Sequence, residues 1–188
     1  PERYRSIGIL TADSDDVTYC ALDEATKAAA VEVVYGRSLY AGAANANTKL
    51  AGEVIGILAG PNPAEVSSGL RAAVEFMDSG VGFRSANEDD SIVYFAHTVS
   101  RTGTYLSKTS GVREGEALAY LIAPPLEAVV GLDEAMKAAD VELVALFEPP
   151  SETNFGGGLL TGTQSACKAA CEAFAEAVKA VAARPREV

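Results

Sequence analysis

The chain has 188 residues, 48% hydrophobic and 22% charged, which is a folded globular composition and excludes a disordered one. Its 26 acidic against 15 basic side chains leave a formal charge of -11. That balance excludes nucleic acid as a partner and an anionic membrane surface, since both need a basic face, and makes cationic small molecules the more natural guests.

Residues 5–12 read as a strand, 20–30 as a helix, 31–40 and 51–60 as strands, and 62–78 as a helix opened by Pro63. Between the two later strands lies a soft stretch of Gly, Ala and Asn, and Glu53 stands where the chain re-enters the sheet. The segment 89–100 is a further β-rich run, and 101–115 is a polar connection. A second series follows: strand 116–123, helix 130–139, strands 141–147 and 157–162, and helix 163–183.

The two series are copies of one another. "LDEATKAAAVEVV" (22–34) lies on "LDEAMKAADVELV" (132–144) at an offset of 110, and the same offset lays "SIGILTAD" (6–13) over "EALAYLIA" (116–123). "LAGPNPAEV" (58–66) falls on "LTGTQSACK" (160–168) with a shifted offset, so the loops differ in length. The pattern implies two small α/β sandwiches with helices on one side, 1–88 and 89–188. Nothing ahead of the first strand matches residues 92–115 ahead of its counterpart, so the first copy is expected to lack its N-terminal segment.

No catalytic kit is legible. His97, the sole histidine, alternates with apolar residues in "VYFAHTV" and reads as a satisfied strand histidine. "FGGGLLTGTQS" lacks the lysine of a phosphate loop, and a lone histidine does not make a hydrolytic zinc site. Cys20, Cys167 and Cys171 are an odd set without a disulfide framework, which implies a reducing, cytoplasmic setting. Cys167 and Cys171 share one helix face and read as buried packing. No apolar run is long enough to span a bilayer.

The polar features gather at strand ends. "TADSDDVTY" (11–19) carries Asp13, Asp15 and Asp16 between a strand and a helix. It reads two ways: as helix capping with solvation, or as a carboxylate pair reaching a cation or amine with Glu53 and Phe83 as companions. "PPSETNF" (149–155) is a second polar loop that offers the Thr153 hydroxyl and backbone carbonyls.

Taken in order, "ADSDDVTY" (12–19), "EVVYGRSLYAGA" (32–43), "AGEVIGILAGPNPAE" (51–65), "SRTGTYLSKTSG" (100–111), "AYLIAPPLEA" (119–128), "PPSETNF" and "TGTQSACKAAC" (161–171) closely resemble the tandem-domain shell proteins of the ethanolamine-utilisation bacterial microcompartment. The resemblance implies two permuted microcompartment domains per chain and a non-enzymatic homotrimer forming a pseudohexameric tile. Such tiles pack edge to edge with other shell proteins around the ethanolamine-degrading enzymes. It further implies a central pore closed or opened by two loops, 41–50 and 149–158, with Tyr40 just ahead of the first and Gly42, Asn45, Asn47, Asn154, Phe155 and Gly156 within them. Asp15, Asp16, Glu53, Phe83 and Thr153 are then the small-pore residues for ethanolamine. No cofactor is required on this reading; ethanolamine and cobalamin are the ligands it brings into view. A small-amine carrier that does not tile is the alternative, and an ammonia-lyase accessory using Asp15, Asp16 and His97 comes third.

Overall fold

A computed structural model describes residues 4–39, 53–148 and 154–184. Among them run β1 (Ser6–Ala12), α1 (Asp15–Ala28), β2 (Glu32–Leu39), β3 (Glu53–Gly60), α2 (Pro63–Asp78), β4 (Arg84–Ser85), β5 (Val93–Val99), α3 (Thr104–Ser110), β6 (Ala117–Ala123), α4 (Pro125–Ala138), β7 (Val141–Phe147), β8 (Gly156–Gly162) and α5 (Gln164–Ala182). They form two compact units, Pro1–Gly82 with Thr102–Thr109, and Phe83–Arg101 with Ser110–Val188.

The first unit holds an antiparallel sheet in the order β1-β3-β2. Its core joins Ala21, Leu22 and Ala25 of α1, Leu58 of β3, and Val66 and Ala73 of α2. The second unit holds an antiparallel sheet in the order β4-β5-β6-β8-β7. There Ala119 and Leu121 of β6 pack with Leu132 and Ala135 of α4 and with Cys167, Cys171 and Phe174 of α5. Both helix-face cysteines are therefore core residues, and burial lifts the Cys171 thiol to about 11. No helix among the described residues is long and apolar enough to cross a membrane.

The duplication is written in the hydrogen bonding. The order β6-β8-β7 repeats β1-β3-β2. The pairing of β2 with β3 shifts between Val33 and Tyr35, and that of β7 with β8 shifts between Leu143 and Ala145, so both units place a bulge at the same point, 110 residues apart. The first strands differ from the expected alignment. Ser6 pairs with Gly60 and Ala117 with Gly162, which sets β1 on β6 at an offset of 111 rather than 110. Two residues separate β1 from α1 but only Pro124 separates β6 from α4, and that missing residue restores the offset at the helix. A one-residue slip turns every side chain to the opposite face of a strand, so the distinction matters.

Helix starts also differ from the sequence expectation. α1 opens at Asp15 and α4 at Pro125, five residues earlier than predicted in each copy. Carboxylates suit the positive end of a helix and proline suits its first turn, and those preferences outweigh the later apolar periodicity. Asp23 and Asp133 sit mid-helix.

Residues 101–115, expected to be a connection, contain α3. The carboxylate of Asp23 seats it by accepting hydrogen bonds from the amides of Gly103 at 2.7 Å and Leu106 at 2.8 Å. Thr26 Oγ1 accepts from the Thr104 amide at 3.0 Å, and the rings of Tyr19 and Tyr105 lie 6.3 Å apart. Approach this close requires glycine: a Cβ on Gly103 would stand 2.3 Å from Thr26 Oγ1. Burial pushes the Tyr105 hydroxyl up to about 12, helped by the neighbouring Asp23 charge.

Candidate functional site

In the first unit the N-terminus of α1 brings Asp15 and Asp16 together. Both are only 6% exposed, and the Asp16 amide donates to Asp15 Oδ1 at 2.9 Å. The preceding residue, Ser14, stands at the N-cap position, where its carbonyl accepts from the Thr18 amide at 3.1 Å and from Thr18 Oγ1 at 2.6 Å. Its own hydroxyl makes no side-chain cap. The buried hydroxyl of Ser14 has no hydrogen-bond partner among the described residues, and the Ser38 hydroxyl of β2 lies near the Asp15 carboxylate. Asp15 and Asp16 thus stand in the first turn of α1, as the capping reading has it, but buried rather than solvated.

Burial has a consequence for Asp15. Desolvation raises the pKa of Asp15 above the ordinary carboxylate value, against the opposing pull of the Asp16 amide and the nearby Ser38 hydroxyl. The helix dipole favours the charges without neutralising them. An ammonium is complementary to such a place, since it offers several donors to carboxylate oxygens and leaves the serine hydroxyls for a polar tail. Ser14 and Ser38 were missed in the sequence. Ser38 lies in a strand, and only the pairing of β2 with β3, Ser38 opposite Val54, marks where it falls.

Glu53 opens β3 opposite Leu39, so its backbone belongs to the same unit as the aspartate pair. Phe83 belongs to the second unit, half-buried, with its ring 5.6 Å from Phe95 and 5.6 Å from Phe155 in an edge-on contact. Two residues predicted for different tasks, Phe83 for a ligand and Phe155 for a pore loop, therefore touch. Phe155 lies between Asn154, whose φ of 67° is left-handed, and Gly156, the first residue of β8. Gly157 follows with φ 153° against the Leu121 carbonyl, where a Cβ would come within 1.9 Å. The backbone entering β8 is thus tightly specified. Thr153, Tyr40, Gly42, Asn45 and Asn47 lie outside the described residues.

His97 is half-buried on β5 with its ring 5.8 Å from that of Phe95, in the second unit rather than with the aspartates. No cluster of three or more histidine, cysteine or acidic side chains able to hold a metal occurs among the described residues.

Residues 6–86 match the BMC domain family. The chain is 74% identical over 182 residues to the bacterial microcompartment shell protein EutL of Clostridium perfringens, covering 97% of this chain and 84% of that protein. The crystal structure of the ethanolamine utilization protein EutL from Leptotrichia buccalis superposes with a TM-score of 0.94 at 74% identity, covering all of this chain and 87% of that one. A trimeric bacterial microcompartment shell protein PduB shares the fold, with a TM-score of 0.77 at 22% identity over 93% of this chain and 76% of that one.

Proposed function

Because the chain belongs to the EutL family of bacterial microcompartment shell proteins, which are structural proteins and not enzymes, we propose that it forms a homotrimeric, pseudohexameric shell tile that binds ethanolamine through its buried aspartate pair. Two units that repeat one strand order and one bulge supply near-equivalent edges, and three copies then close a ring of six. A trimeric relative with the same fold supports the stoichiometry.

The single observation carrying the ligand is the pair Asp15–Asp16, buried beside the Ser38 hydroxyl and the Ser14 hydroxyl, the latter without a partner among the described residues. Protonated ethanolamine offers an ammonium for the carboxylates and a hydroxyl for the serines. By the resemblance, Glu53, Phe83 and Thr153 are further candidates for contacting the ligand, Phe83 through a cation–π face. The loops around 41–50 and 149–158 are the proposed central gate, for metabolites or for a guest of cobalamin size. The contact of Phe83 with Phe155 gives the ligand residue a direct neighbour at the entry to β8.

Calorimetric titration of ethanolamine into the wild-type chain and into Asp15→Asn/Asp16→Asn tests this. Binding by the wild type and its loss in the variant is the expected result. Unchanged affinity in the variant would remove the assignment. Sheets seen by electron microscopy separate a tile from a carrier that binds the same ligand.

A further inference from the structure

Neighbouring antiparallel strands need roughly two to five residues to turn from one into the other. β5 and β6 are such a pair, closed by the rung of Val99 opposite Leu118, yet residues 100–116 lie between them. The surplus is not slack. It carries α3, and Thr102–Thr109 belongs to the first unit while both strands belong to the second. The return limb is set by Gly111, at a left-handed φ of 74°, and by Arg113, whose Nε donates to Glu116 Oε1 at 2.8 Å.

Within the first unit α3 is well seated. Thr102, Leu106 and Ser107 are buried, and Tyr105 packs against the core formed with α1 and α2. Its hydroxyl lies beneath Gly36, where a Cβ would come within 2.6 Å. A seven-residue helix has no stability of its own in water, so α3 persists only while docked on Asp23. Docking costs less when the two ends of the segment are already held. The pairing of Val99 with Leu118 brings those ends together, so the entropy of closing the loop is lost before α3 docks. We propose that the β5–β6 connection is a clasp that couples the stabilities of the two units. The folded second unit presents α3 as a closed loop, and the first unit is more stable for receiving it. In return, α3 on Asp23 steadies the Val99–Leu118 end of the two strands. The clasp is a property of the single chain and does not depend on assembly or on ligand.

A double-mutant cycle read by amide hydrogen exchange tests it. Val99→Ala loosens a buried rung in the second unit, and Gly103→Ala lifts α3 in the first. Mass spectrometry of peptides from residues 15–28 follows α1, and with it the first unit. Val99→Ala alone should quicken exchange there by at least about fivefold. On the Gly103→Ala background the same change should alter it by less than about twofold. Equal quickening on both backgrounds would mean that coupling runs by a route other than α3. No quickening on either would mean that the units open independently, and each of these results overturns the clasp. Ile122→Val, a milder lesion in the same strand pair, takes the place of Val99→Ala if circular dichroism shows that variant unfolded, with the same outcomes.

Discussion

Asp23 and Asp133 occupy the same place in two copies of one motif, "LDEATK" and "LDEAMK", and have opposite fates. Asp23 is fully buried, accepts two backbone hydrogen bonds and lies 3.4 Å from Lys27. Asp133 is 58% exposed and makes an ordinary helix pair with Lys137. The helices, their starts and the adjoining bulges are alike. What differs is the segment that arrives from elsewhere in the chain. A duplicated fold conserves its frame, and the burial of a given side chain is decided by what the frame is packed against.

The largest test of that contrast is to delete both carboxylates in turn. Asp23→Ala strands two buried amides and leaves Lys27 near an empty site. It should cost about 3–4 kcal/mol, a fall in Tm of roughly 10 °C. Asp133→Ala should stay within about 0.5 kcal/mol, because a solvated pair contributes little. Thermal melts of the two variants check both, and equal losses would break the comparison.

Gly103→Ala sharpens it from the other side. Its Cβ would meet Thr26 Oγ1 and the Asp23 carbonyl, so α3 must lift from α1 at a cost of about 2 kcal/mol. Amide hydrogen exchange should then quicken at position 103 and at Leu106 while α4 is unaffected. Protection retained at both amides would show that Asp23 holds the segment without close approach.

The frame was legible in the sequence and its attachments were not. Repeated residues at an offset of 110 predicted two α/β units, because apolar periodicity and turn spacing are local properties that survive duplication. α3 was hidden because "TGTYLSKTS" has no apolar stripe; it is a helix only where Asp23 receives its first amides. The aspartate pair was found as a motif but set in a loop, since the apolar pattern starts later than the helix does. Ser14 and Ser38 carry no local signal, as their role depends on burial at a strand pairing. The predicted gate residues 40–47 and Thr153 fall outside the described residues, so the candidate gate stands on Asn154, Phe155 and Gly156.

The smallest expected effect concerns a place where the copies differ in charge. At the helix start, Asp15 and Asp16 of α1 correspond to Pro125 and Leu126 of α4. Burial raises the Asp15 pKa, so the folded chain holds this proton more firmly than the unfolded chain does. Its contribution to stability is whole below the ordinary aspartate value of 3.8 and is lost as pH climbs through the raised value. Asp15→Asn keeps the shape without the charge, and should raise Tm at neutral pH by a few degrees at most, about what a single buried charge gives. The gain should vanish in acid. An ammonium ligand reverses the sign, because it favours the ionised carboxylate: ethanolamine affinity should rise with pH through the Asp15 transition until the amine itself loses its proton. Melting curves and titrations over one pH series read both trends. Parallel behaviour of the wild type and Asp15→Asn at every pH would show that the two helix starts differ in sequence but not in electrostatic function.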